Sequence, residues 1–125
     1  MLFLLEAGYL YVETSSLTRK ARNVAARPEA TLLVDGQAAT GRRLMVAVEG
    51  TGRIVTGAEA QRMNRHLRAK YIEDAALESI DRAWGELDDV AIEVAPDRWR
   101  SWTNALFRAE TEKHVDGSYG DIWRE

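Results

Sequence analysis

The sequence contains no cysteine. Disulfide bonds, thiolate-bound zinc, iron–sulfur clusters and a cysteine nucleophile are therefore excluded. A long hydrophobic run is also missing, because the apolar stretch at residues 1–5 is far too short for a signal peptide or a membrane span. We therefore expect a cytoplasmic protein with no membrane partner.

The usual signatures of acid–base, nucleophilic and metal-dependent enzymes are missing as well. Gly50 and Gly52 are followed by neither a third glycine nor a helix start, so a strand bend explains them better than a dinucleotide site. No Gly-x-Ser-x-Gly elbow occurs. His66, which has basic neighbours, and the charged run 110–116 are better explained as solvated side chains than as a base or a metal site. We assign no catalytic residue and no metal ligand.

The residues that are present fit one globular domain. The chain has 125 residues, of which 46% are hydrophobic and 30% charged. Its net charge of −3 hides an asymmetry: residues 1–70 carry eleven Lys/Arg against six Asp/Glu, whereas residues 71–125 carry six against fourteen. A local anion site and mutual neutralisation of the two halves explain this equally well. No nucleic-acid partner is expected, because such a surface usually needs a basic balance over the whole domain.

Hydrophobic periodicity predicts strands with helices inserted irregularly between them. Strands are predicted over residues 2–5, 9–14, 30–34 and 90–94, the last with a continuation to residue 102 left open. Residues 43–55 are expected to form either a long strand or a hairpin bent at Gly50 and Gly52. Helices are predicted over 17–27, 58–71 and 75–87, and a loop over 36–41. Alternating strands without a regular strand–helix repeat indicate an α+β fold with an antiparallel sheet. We expect a domain over residues 1–104. The polar segment 105–125, with scattered aromatics, is expected to be a tail along a surface or a partner chain.

The most informative stretch is residues 11–23, which join a strand to a helix through a turn rich in hydroxyl groups. Thr14, Ser15 and Ser16 precede the helix, and Arg19 and Lys20 occupy its first exposed positions. Hydroxyls and unpaired backbone N–H groups donate hydrogen bonds, the helix dipole favours an anion, and the two cations add full charge. The pattern suits a phosphate group, although an ordinary capped helix with solvated basic residues also explains it.

Three segments in this order carry a family resemblance: residues 11–23, residues 27–33 (RPEATLL) and residues 46–50 (VAVEG). Together they resemble the pyridoxamine 5′-phosphate oxidase-like family. Its members have an aromatic-rich strand ending in Thr, then Ser/Thr-Arg-Lys, a helix, Asn-Pro or Asp-Pro opening a strand, and a later Val-x-x-Glu-Gly. The resemblance covers roughly residues 3–55 well and the remainder in outline.

The resemblance implies an antiparallel split β-barrel with two to three helices, normally a homodimer with two cofactor sites at the subunit interface. It implies FMN as the cofactor, or the deazaflavin coenzyme F420 of a neighbouring branch, and hydride transfer to or from a small-molecule redox substrate. Arg19 and Lys20 would then hold the cofactor phosphate. The full set of implied cofactor-binding residues is Thr14, Ser15, Ser16, Arg19, Lys20, Arg22 and Asn23.

The chain also departs from the family pattern. Met45 stands near the position where pyridoxamine phosphate oxidases carry a flavin-contacting glutamine, and residues 98–100 (RWR) do not match their substrate-binding Arg-x-His. Vitamin B6 oxidation is therefore not expected. Family residues that would precede 2–5, about a strand and a helix, have no counterpart, so we expect weakened cofactor binding. The alternative interpretation is a non-catalytic barrel that binds a flavin or haem-like ligand, or that only dimerises.

Overall fold

The computed structural model of the protein describes residues 2–37 and 43–115, which form five strands and four helices. The strands are β1 (Phe3–Glu6), β2 (Tyr9–Ser15), β3 (Glu29–Gln37), β4 (Arg43–Val55) and β5 (Asp89–Thr103). The helices are α1 (Arg19–Ala26), α2 (Gly57–Tyr71), α3 (Asp74–Gly85) and α4 (Ala105–Glu112). All the predicted strands and helices are present. β5 does continue beyond residue 94, and the other bounds differ from the expected ones by at most three residues.

The five strands form one sheet in the order β1-β2-β5-β4-β3. β1 and β2 make an antiparallel hairpin in which Phe3 lies opposite Val12. Its two-residue turn is Ala7-Gly8, and both residues have positive φ (50° and 82°), as a tight hairpin with the usual strand twist requires. β2 in turn pairs antiparallel with β5. The antiparallel sheet with its helices confirms the predicted α+β class.

The chain divides into two compact units. The first comprises Met1–Ala30 and Glu49–Asp97, and the second comprises Thr31–Val48 and Arg98–Glu125. Within the second unit, the Asn104 side-chain oxygen accepts a hydrogen bond from the Arg43 backbone N–H at 2.9 Å. The Arg43 guanidinium lies 2.6 Å from the Asp35 carboxylate. Across the two described segments, no helix is both long and apolar enough to cross a membrane.

In the first unit, α2 packs against β1, β2 and α3. Ala60 and Leu67 of α2 are completely buried. In β5, three consecutive residues, Val90, Ala91 and Ile92, are buried, whereas strict alternation predicted one buried face. Ala91 packs with Ala60, so α2 covers the face of β5 that the alternation assigned to solvent.

Gly50 and Gly52 lie inside a continuous strand and not at a bend, because β4 runs unbroken through both. A Cβ atom at Gly50 would come under 3.0 Å from the backbone of Ala95 in β5. A Cβ atom at Gly52 would lie 2.8 Å from Val24 Cγ1 in α1. The two glycines are therefore needed because neighbouring elements approach the strand closely.

Helix α4 lies where the sequence predicted no regular element. Ala, Leu, Arg and Glu, which favour helices, make up most of it. Lys113, just after the helix, lies 2.6 Å from the Glu110 carboxylate. Helix propensity was therefore the signal in the sequence for α4. The rest of the predicted tail and positions 38–41 of the predicted loop lie outside the described residues, and the division at residue 104 stays a prediction.

Candidate functional site

The junction between β2 and α1 contains all seven residues that the sequence predicts around a cofactor phosphate. β2 ends at Ser15 and α1 begins at Arg19, two residues later than expected. Thr18 caps the helix, because its Oγ1 accepts a hydrogen bond from the Ala21 N–H at 3.3 Å. Arg19 and Lys20 consequently occupy the first turn, where no acidic residue accompanies them. Positive side chains at a helix N-terminus are unfavourable unless an anion lies nearby.

The hydroxyl groups at this junction differ in whether their hydrogen is available. The Thr18 hydroxyl donates to the Ser15 carbonyl at 2.9 Å. The 3.0 Å contact between the Thr14 and Thr18 hydroxyls must therefore use the hydrogen of Thr14. The Ser16 hydroxyl donates to the Asp88 carboxylate. Ser15 Oγ accepts from a backbone N–H at 3.2 Å and keeps its own hydrogen, so of the three predicted hydroxyls Ser15 can still donate to a ligand.

The polar side chains of α1 are exposed. Arg19, Arg22 and Asn23 are three and four residues apart and therefore share one face of the helix, with Lys20 next to Arg19. Neither Arg19 nor Arg22 has a side-chain partner within residues 2–37 and 43–115. Within the described segments, the structure thus places two unpaired cations, Arg19 and Arg22, on one exposed face of α1. That these residues hold a phosphate stays a prediction.

A second feature, which the sequence analysis missed, is a buried group of charges around Arg68 of α2. The Arg68 side chain is 0% exposed. Its Nε donates to Glu13 Oε1 at 3.1 Å, its Nη1 to Asp81 Oδ1 at 2.6 Å and its Nη2 to Asp89 Oδ2 at 2.5 Å. The guanidinium carbon lies 5.2 Å from the centroid of the Trp84 ring. We call Glu13, Arg68, Asp81 and Asp89 the Arg68 cluster.

Asn64 is also completely buried and orients Asp89. Its Nδ2 donates to Asp89 Oδ2 at 2.8 Å and to the Val90 carbonyl at 3.2 Å. Asn64 Oδ1 is buried and accepts no hydrogen bond from the described part of the chain. Glu13 Oε2 is buried as well, but it lies 2.5 Å from Arg68 Nη2, which also bonds Asp89. Nη2 has two hydrogens, so one group can serve both carboxylates.

Burial changes the pKa values in the cluster. It raises the pKa of Glu13 to about 7, although the hydrogen bond from Arg68 acts in the opposite direction. It also raises the pKa of Asp89, against the opposing effects of Asn64 and Arg68. For Arg68, burial alone would lower the pKa, but hydrogen bonds to Glu13 and Asp81 outweigh burial and raise it. Arg68 therefore stays a cation, while Glu13 changes its charge near neutral pH.

A cavity of about 240 Å³ adjoins the cluster. It is lined by Leu2, Glu13, Thr14, Ser15, Trp84, Leu87 and Asp89. Its walls combine apolar side chains with two of the cluster's carboxylates. Because Thr14 and Ser15 also belong to the β2–α1 junction, the cavity lies next to the predicted phosphate site.

The sequence holds a weak signal for the Arg68 cluster. Met63, Leu67 and Tyr71 follow one another at helical spacing in the sequence, and of these the structure buries Leu67 and leaves Tyr71 exposed. It also buries two polar residues of α2, Asn64 and Arg68. Asn64 and Arg68 are four residues apart, so they lie on one helix face. Polar residues on a buried face require partners, but nothing in the local pattern shows that the face is buried.

Comparison with known proteins gives one family match. Residues 1–103 match the family model described as pyridoxamine 5′-phosphate oxidase. No curated protein matches the chain. The family match therefore covers all five strands, the first three helices and the β2–α1 junction.

Several solved structures are similar in fold. The conserved hypothetical protein Rv2991 from Mycobacterium tuberculosis has a TM-score of 0.65 and 22% identity, over 93% of this chain and 72% of that one. A FAD-binding protein from Mesorhizobium loti has a TM-score of 0.58 and 16% identity, over 81% and 70% of the two chains. An F420 reductase has a TM-score of 0.51 and 23% identity, over 78% and 73%. At these identities the likeness shows the fold alone.

Proposed function

The chain belongs to the pyridoxamine 5′-phosphate oxidase family, and on this premise we propose that it is an oxidoreductase that binds FMN or, alternatively, the deazaflavin coenzyme F420. The α+β split barrel expected from the sequence is the fold of this family. By their names, two of the similar structures are a FAD-binding protein and an F420 reductase, which supports a cofactor of this kind. The proposed reaction is hydride transfer to or from a small organic substrate, and not oxidation of vitamin B6.

The charge at the start of α1 is the observation that carries this proposal. Arg19 and Lys20 lie in the first turn of α1, which contains no acidic residue, and the helix dipole adds positive potential at the same place. Arg19 has no side-chain partner within the described segments. A bound phosphate would remove the repulsion and accept hydrogen bonds from the helix start. The residues present therefore fit the phosphate of the cofactor.

The hydroxyls predicted around the phosphate divide into two roles. Ser15, which keeps its hydrogen, would donate to the phosphate. Thr14 supports the helix cap and Ser16 is bound to a carboxylate, so both would position the turn and not donate. Arg22 and Asn23, one turn further along α1, would make second contacts.

The bound cofactor supplies the hydride chemistry through its ring. The protein then has to bind and orient this ring and exclude water from it, which needs no general acid or base at the junction. Met45 is half-buried in β4. It lies where the resemblance places the flavin-contacting glutamine of the oxidases, and its thioether has no hydrogen to donate. For this reason the deazaflavin remains the alternative to FMN.

The phosphate site is tested by replacing Arg19 with alanine. We expect FMN to bind about 10- to 100-fold more weakly, because a charge-assisted hydrogen bond contributes about 1.5–3 kcal/mol. Binding of riboflavin, which has no phosphate, should change little. The measurement is a fluorescence titration of both ligands, with Lys20→Ala as a second variant and Arg27→Ala, at the other end of α1, as the control.

Equal FMN affinities in Arg19→Ala, Lys20→Ala and the parent protein would remove this helix start from the cofactor site. The visible spectrum of the loaded protein distinguishes FMN, with two bands, from F420, with one. A protein that binds neither cofactor would contradict the proposed function. Stoichiometric binding without turnover of any electron donor would favour the non-catalytic alternative.

We also propose that the protein is a homodimer. Leu33, Leu44, Trp99 and Trp102 are large apolar side chains of the second unit that are exposed in the single chain, the two tryptophans by 51% and 54%. A homodimer, the state that the family resemblance implies, would remove such side chains from water. Light scattering at micromolar concentration should report about twice the 14.1 kDa of one chain. A mass of one chain would contradict the dimer.

A further inference from the structure

Asp88 lies between α3 and β5 with a backbone conformation that is unusual for a residue other than glycine. Its φ is 52°, in the left-handed region. Ala7 also has a positive φ, but it lies in a two-residue hairpin turn, where such values are required. Asp88 lies instead in a connection from a helix to a strand. Strained conformations of this kind persist where the surrounding structure holds the residue in place, often beside a functional site.

From this position Asp88 bonds the turn between β2 and α1 twice. Its backbone carbonyl accepts a hydrogen bond from the Ser16 N–H at 3.1 Å. Its carboxylate accepts a second one from the Ser16 hydroxyl. The backbone bond extends the pairing of β2 with β5 by one residue beyond Ser15 and Asp89, and the side-chain bond fixes the direction of the Ser16 hydroxyl. Together they hold the first residue of the turn that leads into α1.

Asp88 is itself anchored to the protein interior through the next residue. Asp88 is exposed, whereas the Asp89 side chain is only 4% exposed. Arg68 Nη2 and Asn64 Nδ2 donate to Asp89 Oδ2 at 2.5 Å and 2.8 Å. The Arg68 cluster therefore fixes the start of β5, and Asp88 connects this fixed point to the turn.

A displacement of Ser16 would change the geometry of the whole turn. Ser15 Oγ accepts from the Leu17 N–H at 3.2 Å, and the Ser15 carbonyl accepts from the Thr18 N–H at 3.1 Å. Both bonds span Ser16, so they depend on its backbone conformation. Thr18 caps α1, and Ser15 has the hydroxyl hydrogen that can still be donated to a ligand. The two bonds between Ser16 and Asp88 thus affect both the helix start and the available donor.

The negative charge of Asp88 has no cation to attract it. Its carboxylate makes no ion pair within residues 2–37 and 43–115. Beside a turn proposed to bind a phosphate, a carboxylate also repels the ligand. Its contribution is therefore the acceptor oxygen that it offers to Ser16, and asparagine would offer an acceptor in the same place without the charge.

We propose that Asp88 is a positioning residue of the cofactor site: it holds Ser16 so that the Ser15 hydroxyl and the start of α1 keep the arrangement that binds the cofactor phosphate. This inference rests on the function proposed above. Asp88 acts through Ser16 and does not itself have to touch the cofactor. Its removal should therefore weaken the binding of a ligand with a phosphate and leave the binding of one without it nearly unchanged.

The experiment titrates FMN and riboflavin into four variants. Asp88→Gly keeps the left-handed backbone conformation and removes the carboxylate. We expect it to bind FMN about 10-fold more weakly, and riboflavin almost as the parent protein does. Ser16→Ala should lose the same factor, and the double variant no more than either single one, because both changes break the same bond. Asp88→Asn should bind FMN at least as tightly as the parent protein.

Glu86→Ala is the matched control. It removes an exposed carboxylate from the same connection between α3 and β5, two residues from Asp88, and should leave FMN affinity unchanged. Ser16→Ala leaves this connection intact, so it tests the bond should Asp88→Gly fail to fold. Unchanged FMN affinity in Asp88→Gly and Ser16→Ala, with a loss in Arg19→Ala, would overturn the inference and leave the proposed function standing. Equal losses for FMN and riboflavin, or additive losses in the double variant, would also overturn it.

Amide hydrogen exchange without cofactor tests the same bond whichever cofactor the protein binds. The N–H groups of Leu17 and Thr18 should exchange about 10-fold faster in Asp88→Gly and in Ser16→Ala than in the parent protein. Asp88→Asn should show little change. Unchanged exchange in the first two variants would overturn the inference. Failure of the parent protein to bind FMN or F420 would instead contradict the proposed function, and with it the role of Asp88 in cofactor binding.

Discussion

Replacing Arg68 with alanine should lower the free energy of unfolding by about 3–5 kcal/mol. The guanidinium group is completely buried and contacts Glu13, Asp81 and Asp89 at 2.5–2.6 Å. Without it, these carboxylates remain in the protein interior with no cation between them. The cost comes mainly from these uncompensated charges and less from the missing hydrogen bonds themselves. For a domain with a total stability of about 5–15 kcal/mol, this is a large fraction.

Urea denaturation of the parent protein and the variant measures this loss. Arg82→Ala is the matched control, because Arg82 makes an exposed ion pair with Glu78 at 3.2 Å on α3, and such pairs contribute about 0.3–0.5 kcal/mol. Should Arg68→Ala fail to fold, Arg68→Lys keeps the charge but cannot bond three carboxylates at once, and it should lose an intermediate amount. A loss below about 1 kcal/mol in Arg68→Ala would contradict the buried cluster.

The parent protein should become less stable relative to Glu13→Gln as the pH rises from 5 to 8. Burial raises the pKa of Glu13 from 4.5 to about 7. Between these values the folded protein keeps the proton that the unfolded chain has released, so the folded state is favoured by binding it. This contribution to stability is complete below pH 4.5, the pKa of Glu13 in the unfolded chain, and it is lost as the pH rises through 7. The full contribution is about 3.5 kcal/mol, taking about 1.4 kcal/mol for each unit of pKa change, and about 2.5 kcal/mol of it is lost between pH 5 and pH 8.

The measurement is a series of urea denaturation curves between pH 5 and pH 8. Glu13→Gln no longer titrates at this position, so the difference between the two proteins isolates Glu13 from the other carboxylates. The raised pKa of Asp89 also lowers the stability of the folded state as the pH rises, and it does so in both proteins. If the free energy of unfolding of the parent protein, relative to that of Glu13→Gln, stays constant or increases with pH, Glu13 is ionised in the folded protein throughout this range.

Secondary structure and fold class could be predicted because they depend on local patterns. Alternation in residues 9–14 and the glycine at position 8 predicted β2 and the turn before it, both of which the structure contains. The resemblance in residues 3–55 predicted the family that the match over residues 1–103 confirms. Helix α4 was missed because the polar character of the segment from residue 105 onward was given more weight than the helix propensity of its first eight residues.

The β2–α1 junction could be predicted as a group because its seven residues are consecutive or nearly so. Which hydroxyl hydrogens remain available could not be predicted, because this depends on the folded geometry of the turn and, for Ser16, on a partner far along the chain. The hydroxyl of Ser16 binds Asp88, 72 residues away. The hydroxyl of Thr14 donates to Thr18 because Thr18 itself donates to Ser15. Thus the sequence placed all three hydroxyls in one role, and the hydrogen-bond network separates Ser15 from the other two.

The sequence by itself determined the order of the five strands and the first three helices, the family, and the concentration of positive charge at the start of α1. Each of these depends on residue type and on spacing within one element. The tertiary structure alone decided that Arg68 is buried, that Glu13 and Asp89 face it, and that a cavity adjoins them. These facts depend on β2, α2, α3 and β5 coming together. Contacts between residues that lie 55 and 21 positions apart leave no periodic pattern in the chain.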